Sequence, residues 1–233
     1  SRQTALFSAT LPQPILRLAA KYMNAPKSFK IGCKQLTVET IEQRYYLVNE
    51  SDKPAALARL FEVESIASAL IFARTRLGTA ELVNELALRG FPAEALNGDM
   101  SQDARGQVLN RFRDNKLKVL VATDVAARGL DIDDISHVFN YDLPQDPESY
   151  VHRIGRTGRA GREGDAILFV SPQQRRLLHT IERTTRQRIE RMDPPDAEAI
   201  NARRIARFQD RITAARKKVG ELGRYADIVD SYC

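Results

Sequence analysis

Short apolar runs alternate with amphipathic segments over residues 41–170, and this alternation constrains the fold more than any other feature of the sequence. Each run is compact and rich in aliphatic or β-branched residues, as expected for a strand that is buried on both faces. Strands that alternate with helices favour right-handed βαβ units around a parallel sheet. The sequence therefore predicts an α/β fold with helices flanking the sheet and with strands at 43–48, 69–74, 93–97, 118–122, 137–141 and 166–170.

Helices are predicted between these strands. Residues 53–62 and 79–89 carry apolar side chains at helical spacing, and Gly90 is a natural stop for the second helix. Ser101 is a suitable cap for a third helix, whose Phe112 is expected to face the core.

The two ends of the chain do not continue the alternation. Residues 1–31 are typical of a strand end at 5–7, a helix at about 12–23 and a strand at 28–31, as in the trailing part of a preceding domain. The predicted organisation is therefore a trailing segment at 1–31, an α/β domain at 32–192 and a helical C-terminal extension at 193–233.

An arginine-glycine run stands at residues 152–162, which read His-Arg-Ile-Gly-Arg-Thr-Gly-Arg-Ala-Gly-Arg. A guanidinium group is a rigid, permanently charged fork that fits phosphate oxygens in a bidentate manner. Glycines at this density let the backbone approach a ligand closely. A solvated basic turn would not explain the regular pairing of glycine with arginine, so the run favours a phosphate-binding segment.

A second segment, residues 119–131, reads Val-Leu-Val-Ala-Thr-Asp-Val-Ala-Ala-Arg-Gly-Leu-Asp. Thr123 and Asp124 follow a predicted strand at its carboxyl end, where ligands bind in open α/β sheets. Asp131, two residues after Gly129, could accept a hydrogen bond from a ribose hydroxyl. A simple helix cap is the alternative interpretation of the Thr-Asp pair, and this segment alone leaves both open.

These two segments resemble helicase motifs VI and V of the DEAD-box family of ATP-dependent RNA helicases. The resemblance covers about residues 1–192 and implies a RecA-like helicase domain. Three further matches are Ser8-Ala9-Thr10 with motif III, residues 70–75 with motif IV, and Asn97-Gly98-Asp99 together with Gln102 and Arg105 with motif IVa.

One histidine distinguishes this resemblance from a neighbouring group. His152 with Thr157 is similar to the DEAD-box pattern, whereas the related DEAH group has glutamine at the position of His152. Residues 146–152 resemble the bacterial, cold-shock-type members most, which implies a cytoplasmic protein of the stress response.

The resemblance implies roles in nucleotide chemistry for several residues. Arg156 and Arg159 would be arginine fingers that reach the γ-phosphate of ATP, and His152 would connect that phosphate to motif III. Gly129 and Asp131 would contact the nucleotide. The residues that would couple hydrolysis to strand separation are Ser8, Ala9 and Thr10.

RNA is the second partner that the resemblance implies. Small and polar groups that contact phosphates and sugar hydroxyls hold RNA without reading its sequence. The residues that would lie along or beside the RNA backbone are Arg74, Thr75, Gly98, Asp99, Gln102, Arg105, Thr123 and Asp124.

Two motifs of a complete ATP motor are absent from the sequence. It has no Gly-x-x-x-x-Gly-Lys-Ser/Thr loop to hold phosphates and no Asp-Glu-Ala-Asp segment for Mg²⁺ and water. We expect both to precede Ser1, in an N-terminal helicase domain that acts in cis and holds the ATP phosphates and Mg²⁺. The chain itself is then expected to have no metal site and to be inactive as an ATPase alone.

The basic charge of the sequence is concentrated near its C-terminus. Residues 173–224 hold 14 Lys and Arg against 7 Asp and Glu, whereas the rest of the chain has a net charge of −1. Pro194-Pro195 is expected to break this predominantly helical tail into two segments. Polyanion binding and a merely solvated helix face both agree with such a charge pattern.

After Pro195 the apolar residues follow steps of three and four, which is a heptad seam. The seam covers fewer than three heptads, short of a self-sufficient coiled coil. It either packs within its own chain or pairs with a second copy. Some bacterial members of the family dimerise through a segment in this position, and this resemblance favours a homodimer through Ile205, Phe208 and Ile212.

The sequence thus predicts the C-terminal half of an ATP-dependent RNA helicase that unwinds or remodels RNA. The alternative is an RNA-clamping and dimerisation module with little unwinding activity. A DNA helicase is disfavoured by His152. A membrane partner is not expected, because the sequence has no run of 18 apolar residues. Cys33 and Cys233 have no metal or redox spacing, in keeping with a reducing cytoplasm.

Overall fold

The computed structural model describes residues 3–7, 13–29, 40–127, 132 and 135–219, and the fold is given for these. The chain divides into two compact units, Ser1–Leu36 and Thr37–Cys233. The first unit contains helix α1 (Gln13–Tyr22), as predicted. Residues 5–7 form no strand, nor do residues 28 and 29, because the described part of this unit offers them no strand to pair with. The remainder of the strand predicted at 28–31 lies outside the described residues.

The second unit contains one parallel sheet, which confirms the predicted α/β class. Its strands follow the order β3-β4-β2-β5-β6-β1-β7 and pair in parallel throughout. The strands are β1 (Ile41–Leu47), β2 (Ala69–Phe72), β3 (Glu94–Leu96), β4 (Val119–Ala122), β5 (His137–Asn140), β6 (Gly164–Val170) and β7 (Glu190–Met192).

Helices cover both faces of this sheet. Side chains of β2 alternate between two apolar clusters, so that Ile71 packs with Leu57 while Leu70 packs with Val108. A third cluster covers β6, where Leu168 packs with Tyr150. The helices are α2 (Lys53–Val63), α3 (Arg76–Leu88), α4 (Gln102–Arg113), α5 (Asp124–Ala127), α6 (Pro147–Ile154), α7 (Arg175–Thr185) and α8 (Ala197–Val219).

Parallel strands bring their carboxyl ends to one edge of the sheet. The register aligns Phe72 of β2 with Ala122 of β4 and with Asn140 of β5. Leu96 of β3 in turn aligns with Ala122. The loops that follow these four strands therefore start side by side, and they carry most of the predicted RNA-contacting residues.

The end of the chain differs from the prediction in one element. β7 extends the sheet beyond β1 but was not predicted, because Glu-Arg-Met is a short polar strand without an apolar run. Pro194 and Pro195 lie between β7 and α8, in agreement with the predicted break. No helix in the described part of the chain is both long and apolar enough to cross a membrane.

Candidate functional site

Helix α6 carries the first part of the arginine-glycine run, and its start is firmly capped. Asp146 is the N-cap residue, and its Oδ1 accepts a hydrogen bond of 2.8 Å from the backbone N–H of Ser149. Pro147 follows at the first turn, where a missing N–H does no harm. Burial alone would raise the pKa of Asp146, but hydrogen bonds from Ser149 and Glu148, together with the charge of Arg153, outweigh it and lower the pKa. The carboxylate is therefore held in its charged form.

Arg153 fixes α6 to the edge of the sheet. The side chain is only 3% exposed, and a buried guanidinium must be paired to be tolerated. Its Nε and Nη2 donate to Oδ1 and Oδ2 of Asp124, just after β4, at 2.6 and 2.8 Å. Its Nη1 also donates to Oδ1 of Asn140 at 3.0 Å, and the guanidinium lies 4.8 Å from the ring centroid of Phe72. The orientation of α6 is thus set by three neighbouring strands.

The turn after α6 depends on two residues that allow very close packing. The hydroxyl of buried Thr157 donates to the carbonyls of Ile135 and Ser136. Gly158 has a φ of 66°, and a Cβ added there would lie 2.6 Å from Cγ1 of Ile41. Only glycine fits this position, which explains the glycine between the two predicted arginine fingers.

A polar cavity of about 570 Å³ lies beside α6. It brings His152 and Arg156 together with Asp124, so one predicted finger and the histidine share a single cavity. His152 is half-exposed, with Nε2 3.7 Å from Glu148 Oε1. Arg159 is exposed outside the lining of this cavity, and its Nε donates to the carbonyl of Gly155 at 2.7 Å. Arg156 places a guanidinium in a cavity that the carboxylates of Asp146 and Glu148 also line, and a guanidinium can bind the oxygens of an anionic ligand such as a phosphate.

The loop after β2 holds the first two predicted RNA contacts. The backbone N–H of Arg74 donates to Oδ2 of Asp142 at 2.8 Å, and the Arg74 side chain is exposed. Thr75 caps α3 by accepting from the backbone N–H of Gly78 at 3.0 Å. Arg76 forms an exposed ion pair with Asp99, which joins this loop to the one after β3.

The loop after β3 and the helix that follows hold the next group. Gly98, Asp99 and Gln102 are all exposed there, and Asn97 Oδ1 accepts from the backbone N–H of Asp99 at 3.1 Å. Arg105 on α4 donates from Nη2 to the carbonyl of Ala126 in α5 at 2.5 Å. This bond connects α4 to the helix that begins at Asp124.

Thr123 and Asp124 have structural contacts of their own. Oγ1 of Thr123 accepts from the backbone N–H of Ala126 at 3.4 Å, so the helix-cap interpretation is confirmed for Thr123. The carboxylate of Asp124 is occupied by Arg153. Contact of either residue with RNA stays a prediction.

Five of the predicted residues fall outside the part of the chain that the structure describes. Ser8, Ala9 and Thr10 lie outside the described residues, as do Gly129 and Asp131. Within the described ranges, the structure shows no group of three or more His, Cys, Asp or Glu side chains placed to hold a metal ion.

Sequence reasoning missed three polar residues that build this edge of the sheet. Arg153 stands in the quoted run, but its pairing with Asp124 was not anticipated. Asn140 and Asp142 were not singled out, although Asp142 follows a buried strand just as Asp124 does. The same position at the carboxyl end of a strand was the signal that could have found them.

Helix α8 presents its apolar seam to solvent. Ile205, Phe208 and Ile212 are 58%, 62% and 44% exposed. The helix contacts its own domain through a basic face formed by Arg203, Arg204 and Arg207 instead. Arg204 donates to both carboxylate oxygens of Glu62, at 3.0 and 3.2 Å. The hydrogen bond from Arg204 lowers the pKa of Glu62. The helix thus packs back within the chain, but the seam does not.

The chain matches two family profiles. Residues 52–161 match the helicase conserved C-terminal domain, and residues 195–233 match the RNA helicase DeaD dimerization domain. The second match covers α8 and its seam.

Relatives and solved structures agree with these matches. The chain is 52% identical to the DEAD-box ATP-dependent RNA helicase CshA of Geobacillus kaustophilus over 83% of its own length and 42% of that relative. It therefore spans well under two thirds of the relatives' length.

Two solved structures extend the comparison. Escherichia coli DEAD-box protein SrmB, bound to regulator of ribonuclease activity A, is 39% identical over 68% of this chain and 93% of that one, with a TM-score of 0.64. Saccharomyces cerevisiae Dbp5, bound to RNA and ADP BeF3, is 33% identical over 86% of this chain and 53% of that one, with a TM-score of 0.74. With its RecA-like parallel sheet and the arginine-glycine run that begins on α6, the chain belongs to the DEAD-box RNA helicase family, of which it contains the C-terminal helicase domain.

Proposed function

We propose that the chain is the C-terminal half of an ATP-driven motor that unwinds or remodels RNA. The observation that carries this proposal is the cavity beside α6, where His152 and Arg156 share a lining with Asp124, two residues after β4, at the ligand-binding edge of a parallel sheet. The N-terminal helicase domain would hold the ATP in cis, and this chain would close over its phosphates.

Two arginines would act as fingers in this motor. Negative charge develops on the oxygens of the transferred phosphoryl group, and a guanidinium placed against them stabilises the transition state. Arg156 lines the cavity, while Arg159 follows three residues later on a turn whose shape Gly158 permits. Mg²⁺ would be held mainly by the N-terminal domain and would neutralise phosphate charge there. The similar Dbp5 structure contains ADP BeF3 and RNA, which supports both ligands.

RNA would run along the exposed residues at the same edge of the sheet. Arg74, Thr75, Gly98 and Asp99 are exposed and follow β2 and β3, the two strands that flank β4, at one edge of the sheet. No base-stacking aromatic residue belongs to this predicted set. Binding would therefore depend on the RNA backbone rather than on sequence.

A second copy of the chain would cover the seam of α8. Three large apolar residues in one row are exposed, and the segment matches a dimerisation domain. A two-fold contact of the seam with itself would bury them. The relatives are bacterial RNA helicases, so the same proposal places the protein in the cytoplasm. A role in the stress response is proposed from the sequence resemblance alone.

Removal of one finger in the full-length protein tests this function. We expect Arg156→Ala to lower kcat for RNA-stimulated ATP hydrolysis by about 10³–10⁵-fold, the usual contribution of an arginine finger. Affinity for ATP should stay within about tenfold, since the finger acts mainly in the transition state. Arg113→Ala, which removes an exposed arginine from the last turn of α4, is the matched control and should keep wild-type turnover. Near wild-type turnover by Arg156→Ala would contradict the proposal.

A further inference from the structure

Lys53 is a buried charge that none of the predicted functions uses. It stands at the start of α2, and its side chain is 0% exposed. Its Nζ lies 3.0 Å from Oδ1 of Asp142 and 2.7 Å from Oε2 of Glu50, and 5.3 Å from the ring centroid of Tyr141. A buried ammonium gains little stability over an apolar side chain of similar size. Its presence is better explained by what it holds in place.

Lys53 pairs with Asp142, whose carboxylate, backbone carbonyl and backbone N–H all form hydrogen bonds. Its Oδ1 accepts from Lys53, while its Oδ2 accepts from the backbone N–H of Arg74 at 2.8 Å. Its carbonyl oxygen accepts from Nη1 of Arg153 at 2.6 Å. Its own N–H donates to the carbonyl of Phe72 at the end of β2. One residue thus connects the loop after β2 with helix α6.

The two sides of this connection lead to two different ligands in the proposed function. Arg74 begins the loop that would contact RNA. Arg153 lies in α6 between His152 and Arg156, which both line the cavity for the ATP phosphates. Hydrogen bonds are short and directional, so a shift of the Arg74 backbone would act on the Asp142 side chain and, through the Asp142 carbonyl, on Arg153 in α6. Within the described residues, Asp142 has hydrogen bonds to both of these elements.

We propose that Asp142 is a positioning residue that couples RNA contact at the loop after β2 to the orientation of helix α6, which leads directly into the turn with Arg156. Lys53 fixes the carboxylate of Asp142 for this task. The inference rests on the proposed function, because it requires RNA at Arg74 and ATP phosphates at Arg156.

Asp142→Asn in the full-length protein tests the coupling. Asparagine keeps the size of the side chain but removes the charge that Lys53 pairs with. We expect the ratio of kcat with RNA to kcat without RNA to fall by roughly tenfold, within the range of measured coupling between sites. Turnover without RNA and the KM for ATP should stay within about twofold, because no group that touches ATP is changed.

Two further variants make the test specific. Lys53→Met keeps an unbranched side chain in the buried position and leaves Asp142 bonded to Arg74 and Arg153, so a smaller loss of roughly threefold in the ratio is expected. Glu50→Gln is the control, since the exposed Glu50 contacts Lys53 but neither the loop nor α6. Its ratio should equal that of the wild type. Thermal melting by circular dichroism verifies that each variant folds. If Asp142→Asn does not fold, the ratio of kcat with RNA to kcat without RNA in Lys53→Met tests the coupling instead.

The outcomes separate the coupling from the function beneath it. A wild type stimulated by RNA, with an unchanged ratio in the folded variants of Asp142 and Lys53, would overturn the coupling alone. Equal losses with and without RNA would also overturn it, because they would show a structural role. A wild type without RNA stimulation would overturn the proposed function and the coupling together.

Discussion

Gly158 shows how one residue can determine the shape of a predicted site. Its φ of 66° is in the left-handed region, which costs about 1–2 kcal/mol for an alanine. A methyl group would also press against Ile41 and add about 1–3 kcal/mol of overpacking. We expect Gly158→Ala to lower the free energy of unfolding by the sum of these effects, measured by urea denaturation.

Gly106 offers a matched control for that substitution. It lies within α4, and a Cβ added there would meet no atom within 4 Å. Gly106→Ala should therefore raise the free energy of unfolding by about 0.5–1 kcal/mol, because alanine is the better helix former. Equal destabilisation by both substitutions would contradict the special role of Gly158.

His137 should make stability depend on pH. Burial lowers its pKa, although Asp165 and Glu64 partly oppose that effect. The folded state therefore keeps His137 neutral at pH values where the unfolded chain already binds a proton. Stability is fully present above about pH 6.5, the ordinary histidine pKa, and is lost as the pH falls below it.

A titration between pH 7 and pH 5.5 measures this effect. The free energy of unfolding should fall with a slope of up to about 1.4 kcal/mol per pH unit for one proton. His137→Gln retains a polar side chain that does not titrate, so its stability should change less over this interval. Identical slopes for the two proteins would assign the pH dependence to other groups.

Individual residue roles could be predicted from the sequence only in part. The arginine-glycine run drew attention to all four of its arginines as phosphate ligands, yet Arg153 is buried against Asp124. Nothing in the run distinguishes a buried arginine from an exposed one, because the partner is 29 residues away. Helix caps were easier to predict from the sequence, since Ser101 and its partner Ala104 are only three residues apart.

At the scale of elements, the apolar row of helix α8 was predicted from the sequence, but the contact of its basic face with the domain was not. Spacing alone placed Ile205, Phe208 and Ile212 in one row. Whether that row or the basic face would pack on the domain depends on Glu62 at the end of α2, 142 residues from Arg204. Such pairings are not visible in local periodicity.

The exposed seam leads to a prediction about assembly. Left in water, each of its large side chains forgoes roughly 1.5–3 kcal/mol of burial, so a second copy should cover them. Phe208→Asp would place two like charges in that interface, and the dimer should dissociate. Light scattering measures the mass, and circular dichroism should show an unchanged fold because Phe208 is 62% exposed in the single chain.

The matched control uses the other face of the same helix. Ala214→Asp adds the same charge at an exposed position about two and a half helical turns after Ile205, on the opposite side of the helix, and should leave the dimer intact. A monomeric wild type would contradict the dimer. Unfolding of Phe208→Asp would instead show that the seam packs within its own chain.

At the scale of the whole molecule, the sheet was the most predictable feature. Strands such as β2 and β4 are buried on both faces, and continuous apolar runs carry that information locally. β7 escaped prediction because an edge strand needs no apolar run. The site at the carboxyl edge could be placed in outline, since parallel strands must end together.

The division of labour between domains gives the last prediction. Hydrolysis of ATP needs a phosphate-binding loop and a metal site, and this sequence contains neither motif. The proposed fingers would only stabilise charge on a phosphoryl group that another domain must hold. We therefore expect the purified chain to show no RNA-stimulated ATPase activity in a phosphate-release assay. Fusion to the N-terminal helicase domain should restore turnover, and Arg156→Ala in the fusion should abolish it again. If the chain alone hydrolysed ATP at about 1 s⁻¹, the lower end of ordinary enzyme rates, this division of labour between the two domains would be disproved.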